Sequence, residues 1–127
     1  MRYLPDTNIF IRAAKGYSPE SEFLSKIVKK RQIMISSIVA GEFLAKATIQ
    51  EEEVFEALLT EFTILSVDIE VAKIAAGYRK ESLKVKRGQM LDCFLAAQAK
   101  LHNLTLVTND KDDFPMKDVK ILHSRQI

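Results

Sequence analysis

Tryptophan is absent from this 127-residue chain, and it has one cysteine, three prolines and four glycines. The lone thiol, Cys93, excludes an internal disulfide and a cysteine-based zinc cluster, and it fits a reducing compartment. Scarce proline and glycine exclude collagen-like or low-complexity character. Pro5, Pro19 and Pro115 all stand at the edges of apolar or helical runs, where proline is tolerated. The longest apolar stretches fall far short of the roughly 20 residues that span a membrane. Met1 to Asp6 runs straight into an apparent strand and leaves no room for a signal peptide, so a cytoplasmic location is expected. A charge excess is also lacking. With a net charge of +2 the whole molecule offers no argument for nucleic acid, and any attraction to phosphate has to be local. No tight aromatic cluster points to base stacking.

What is present is the balance of an ordinary globular protein, 47% hydrophobic and 28% charged, in a length that fits a single domain over residues 1–127. Short runs rich in Ile, Val, Leu and Thr at Tyr3 to Pro5, Gln32 to Ser36, Phe62 to Val67, Thr105 to Thr108 and Val119 to Leu122 predict strands. Helical patterns fill the gaps. Ser18-Pro19 reads as a start signal for a helix carrying Phe23, Ile27 and Val28 and ending near Lys29-Lys30-Arg31. Ser36-Ser37 opens a helix to about Ala47, and Glu51 to Thr60 forms another with Val54, Leu58 and Leu59 inward. Asp68 caps a long helix with Val71, Ile74, Ala75, Tyr78 and Leu83, and a last helix holds Asp92 to Leu101. Strands alternating with helices predict an α/β fold around a central, mostly parallel, five-stranded sheet flanked by helices.

Acids stand where these apolar runs stop: Asp6, Glu42, Asp92, and the group Asp110, Asp112 and Asp113. Each has a plain structural explanation when taken alone. Asp6, Thr7 and Asn8 can all cap a helix, but three capping residues exceed what one helix start requires. Glu42 can pair with Lys46 at i,i+4, yet it lies beside the apolar Ile38 and Val39 and too far along to complete a capping box. Asp92 suits a first helical turn, with Ala96 and Ala99 on its side. Aspartates make turns, and Asp112 reads as mostly solvated, with Asp110 ranked before Asp113 as a ligand. Four acidic positions at element ends, in order, are harder to explain as caps and turns together. Acids converging on one edge of an α/β sheet need a cation, because each pair of like charges at ~4–5 Å costs roughly 3–4 kcal/mol at an effective dielectric of about 20. An all-oxygen set suits Mg²⁺ or Mn²⁺, and neither His102 nor His123 is placed to complete a softer site.

Four blocks carry a family resemblance: Leu4-Pro5-Asp6-Thr7-Asn8-Ile9-Phe10, Ser36 to Leu44 with Glu42, Gly88 to Ala99 with Asp92, and Leu106-Val107-Thr108-Asn109-Asp110 with Asp113-Phe114. Together they resemble a PIN domain, and most closely the VapC-type toxin ribonucleases of toxin–antitoxin pairs, over nearly the whole chain. The resemblance implies a three-layer PIN-like fold and a metal-dependent endoribonuclease. Asp6, Glu42, Asp92 and Asp110 or Asp113 match its acids, and Thr7, Asn8 and Thr108 its supporting polar residues. Val39 departs from it, standing where relatives often carry a hydroxyl. It further implies a homodimer and a cognate antitoxin that covers the acidic cleft. Lys84, Lys86 and Arg87, behind Arg79-Lys80, form the densest basic stretch and are candidates to steer RNA. Two other readings stay open, a non-catalytic PIN-like module that binds RNA or protein, and a DNA nuclease using the same carboxylates. A receiver-type phosphoacceptor fits poorly, because Asp6 lacks the acidic neighbour such a site wants.

Overall fold

The computed structural model describes residues 1–85 and 89–127, the side chains of residues 83–85 excepted. Among these residues five strands, β1 (Tyr3–Pro5), β2 (Ile35–Ser36), β3 (Ile64–Leu65), β4 (Thr105–Thr108) and β5 (Lys120–His123), all pair in parallel. Full pairing gives a three-stranded sheet, β1-β4-β5, and a two-stranded one, β2-β3, rather than one unbroken five-stranded ladder. Tyr3 makes the join. It bridges Ile33, its N–H donating to Gln32 O at 2.7 Å and its carbonyl accepting Met34 N–H at 3.0 Å. The spatial order is therefore β3-β2-β1-β4-β5, with the chain reversing its direction of travel between β1 and β4. Crevices at such reversals, outside the carboxyl ends of the strands, are where α/β sheets bind ligands.

Among the described residues six α-helices cover the sheet: α1 (Thr7–Ala14), α2 (Glu20–Lys29), α3 (Ser37–Lys46), α4 (Ile49–Glu61), α5 (Ile69–Val85) and α6 (Met90–Leu101). Their starts follow from side-chain caps. Asp6 accepts from Ile9 N–H, Ser36 from Ile38 N–H and Asp68 from Val71 N–H, and Thr48 with Glu51 forms a full capping box. The start of α2 differs from expectation. Pro19 occupies the cap position without a side-chain bond, and the Ser18 hydroxyl instead donates to Glu22 Oε1 at 2.6 Å. Packing also corrects α4. Phe55 is buried and Leu58 and Leu59 are partly buried, whereas Val54, about 100° around the helix from Phe55, is 68% exposed. Leu83 lies outside the described side chains.

The main core joins Leu4, Ile35, Val39, Leu106 and Phe114 to the aromatics Phe10, Phe43 and Phe55. Phe43 stacks on Phe55 at 4.4 Å, and Phe10 meets Phe55 edge-on at 5.4 Å. A smaller cluster of Val71, Ala75, Cys93 and Ala97 locks α5 against α6. Cys93 is thus a small buried apolar group, and burial pushes its thiol upward. Among the described residues no helix is long and apolar enough to cross a membrane.

Candidate active site

Asp6 emerges from the carboxyl end of β1, where its N–H donates to Val107 O at 2.9 Å and so ties it to β4. Its Oδ1 accepts Ile9 N–H at 3.3 Å, a long cap. Burial pushes its carboxyl up to about 6, against the Thr108 hydroxyl and the Ile9 and Asn8 N–H groups, and the charge of Asp113 adds to the rise. The next residue reaches across the site. Thr7 Oγ1 donates to Glu42 Oε1 at 2.6 Å, joining the first turn of α1 to the exposed face of α3. Thr108, fully buried at the end of β4, accepts Asp110 N–H at 3.0 Å and orients the loop that follows.

Asp92 stands in the first turn of α6, a helix that starts at Gln89 without a side-chain cap. A helix N-terminus favours ionised carboxylate. Its carboxyl is nevertheless pushed up to about 7, first by burial and then by the charges of Asp113, Asp6, Glu42 and Asp110, in that order. That order locates the cluster: acids from the end of β1, from α3 and from the loop after β4 all act on one half-buried carboxyl on α6. The loop acids are not equivalent. Asp113 is the strongest charge on Asp92 and also acts on Asp6, whereas Asp110 acts most weakly on Asp92 and spends Oδ1 on Asp112 N–H at 3.1 Å.

The set is suited to a hard divalent cation in its chemistry, being oxygen only, with two members protonated more readily than free aspartate. Among the described residues, no three acids yet stand together as a ready-made metal cage. His102 closes α6 at the end away from Asp92, and His123 Nδ1 accepts Arg125 N–H at 3.0 Å.

A family model described as the PIN domain matches residues 3–121. The chain belongs to the PIN-domain family. It is similar to solved chains from FitAcB of Neisseria gonorrhoeae, at 26% identity and TM-score 0.78, covering 98% of this chain and 99% of the other. It is likewise similar to a chain of VapBC2 from Rickettsia felis bound to a promoter DNA fragment, at 25% identity and TM-score 0.79, covering 97% and 98%. A toxin–antitoxin complex from Klebsiella pneumoniae matches at 25% identity and TM-score 0.78, covering 98% and 99%. No curated protein sequence matches.

The basic stretch of this PIN domain escapes placement, since Lys86, Arg87 and the side chain of Lys84 lie outside the described residues. The sequence reading also passed over the groups that hold the site in place. Gln98, fully buried on α6, accepts from Ser36 Oγ at 2.5 Å and donates to the carbonyls of Leu65 at 3.0 Å and Ser66 at 3.2 Å. Its one signal is an amide within Ala96-Ala97-Gln98-Ala99, where an apolar run has no other use for a polar side chain. Ala96 and Ala99 pack into the main core, so the small residues on the side of Asp92 bring α6 close to the sheet.

Proposed function

We propose that this PIN domain is a Mg²⁺- or Mn²⁺-dependent endoribonuclease and the toxin of a toxin–antitoxin pair. The observation that carries the reading is the gathering of Asp113, Asp6, Glu42 and Asp110 around Asp92 at the carboxyl edge of the sheet, where burial first and then their charges push its carboxyl up to about 7. Asp6, Glu42, Asp92 and a loop acid would hold the ion. Asp113 is favoured over Asp110 as that fourth acid because its charge is felt more strongly at Asp92. When bound, the ion supplies Lewis acidity that lowers the pKa of a water and stabilises the departing oxygen.

The protein's own contribution is placement. Thr7 holds Glu42 toward the site, Thr108 and the N–H groups of Asn8 and Ile9 favour the ionised form of Asp6, and α6 sets the height of Asp92. In the reaction, a water oxygen attacks phosphorus, the bond to the 3′ oxygen breaks, and that oxygen takes up a proton. The products are a 5′-phosphate and a 3′-hydroxyl.

The relatives' complexes support an antitoxin partner for this chain, and a homodimer is proposed with it. An open groove of about 440 Å³ between α1, α2 and α4, lined by Phe10, Leu24, Val28, Phe55 and Leu58 with Val54 at its rim, suits the apolar face of an antitoxin helix.

The test is cleavage of mixed cellular RNA by purified protein in Mg²⁺ or Mn²⁺, beside EDTA and an Asp92→Asn variant, with fragment ends mapped. Metal-dependent 5′-phosphate ends that vanish in the variant are expected. Cutting indifferent to Asp92 would sink the assignment.

A further inference from the structure

β4 and β5 end level, Thr108 pairing with His123, so the segments that follow them leave the sheet side by side on its carboxyl edge. Between them lies a polar cavity of about 400 Å³ lined by Asn109, Asp110, Lys111, Asp112, His123, Arg125 and Gln126. Asp110 is the point at which this cavity meets the acidic cluster.

The hydrogen bonds around the cavity leave donors unspent on one wall. His123 Nδ1 accepts Arg125 N–H at 3.0 Å, so in the neutral ring the proton sits on Nε2, which is left as a donor. Gln126 Oε1 accepts His123 N–H at 2.8 Å, which spends the amide oxygen and leaves the NH₂. These two bonds form a reciprocal capping box around the turn Ser124–Gln126, so both side chains are fixed before any ligand arrives. Lys111 and Arg125 add two exposed cations, neither in an ion pair among the described residues. Two cations, a ring N–H and an amide NH₂ answer the needs of a phosphate, whose oxygens only accept, and they face its charge together with the opposing carboxylates of Asp110 and Asp112 in the same lining. On the side of the cluster, Asp110 spends Oδ1 on Asp112 N–H.

Resting on the ribonuclease reading, we propose that this cavity is a subsite for a phosphate of the RNA strand flanking the cut, held by Lys111, Arg125, His123 and Gln126. A strand anchored there passes Asp110 on its way to Asp6 and Asp92. The cavity thereby sets the strand's direction across the acids as well as adding affinity. These four are positioning residues and take no part in the bond exchange.

The test separates this subsite from the nuclease assignment by reading binding as well as cutting. A fluorescent single-stranded RNA of about ten nucleotides is titrated in EDTA, over a series of salt concentrations, against the wild type, Lys111→Ala/Arg125→Ala, and Arg125→Lys. Expected is a loss of affinity on the order of tenfold in the double variant, the size of one charge-assisted contact. The salt slope should flatten by about 0.7, the value for one single-strand phosphate, with partial recovery in Arg125→Lys. In metal-supported cleavage the double variant should raise KM far more than it lowers kcat. Unchanged affinity and salt slope in the double variant, with the fold intact by circular dichroism, would overturn the subsite even if cleavage is found. Loss of binding in a protein that never cuts would keep the subsite and remove the nuclease.

Discussion

Two helices of this protein begin with an aspartate whose carboxylate accepts the N–H three residues on, and the two starts differ in everything else. At α5, Asp68 is exposed and its bond to Val71 N–H is 2.9 Å. At α1, Asp6 is partly buried, its bond to Ile9 N–H stretches to 3.3 Å, and its carboxyl is pushed up to about 6. Asp68 has the geometry of a residue selected to start a helix. Asp6 does the same job less well, at a place where burial works against its charge, and serves the convergence at Asp92. A poor cap in a costly place marks a functional residue more clearly than the presence of a cap does.

The largest expected break in that comparison comes from truncating both caps. Asp6→Ala should lower RNA cleavage by more than about 100-fold, beyond what losing a group behind a metal ligand costs. Asp68→Ala should leave cleavage within about twofold while costing about 1 kcal/mol of stability by denaturant melt, the usual worth of such a cap. If both variants lose activity alike, the contrast between the two helix starts carries no functional meaning. Next in size is Thr7→Val, which removes the hydroxyl holding Glu42 at 2.6 Å. Cleavage should fall about tenfold with little change in melting temperature, and rescue by Thr7→Ser would tie the loss to the hydroxyl.

The smallest effect concerns pH. Folding raises the carboxyls of Asp6 and Asp92 from 3.8 to about 6 and about 7, so across that window the folded chain binds more protons than the unfolded one. Their contribution to stability is fully present below about pH 4, is lost as pH rises through the folded values, and levels off above them. Melting temperatures taken in EDTA from pH 4.5 to 8 should therefore fall less steeply in Asp92→Asn than in wild type, with the variant the more stable at pH 8. A wild-type curve that parallels the variant would mean that burial and the neighbouring acids do not raise the Asp92 carboxyl.

Much of this was readable from residues. Tyr3–Pro5 and Thr105–Thr108 match their expected strands, the first as a short apolar run stopped by Asp6 and the second as a run of Thr, Leu and Val. Asp6, Glu42 and Asp92 stood out because each stands beside an apolar run at an element end, and together they exceed what caps and surface pairs require. Other features depend on tertiary contact and had no local signature. Only Ile35–Ser36 of the run from Gln32, and Ile64–Leu65 of the run from Phe62, pair as strands, and among the described residues the run from Gln32 meets β1 through a single bridge at Tyr3. Val54 matches Leu58 in chemistry and period, yet it faces outward because Phe55 fills the space against Phe10 and Phe43. Asp113 outranks Asp110 at Asp92 through the course of a short turn after β4, which spacing along the chain does not reveal.

Gln98 sits six residues beyond Asp92 on the same helix, about 9 Å along its axis at 1.5 Å per residue. It is hydrogen-bonded to Ser36, Leu65 and Ser66, so it works as an indexing pin between α6 and the β2-β3 pair. A helix packed on alanines alone slides with little resistance, since neighbouring small side chains offer nearly identical seats. With the amide engaged only one seat satisfies every donor and acceptor. The charged end of α6 is thereby held to a tolerance set at its dry, uncharged middle, where neither substrate, salt nor pH can disturb it.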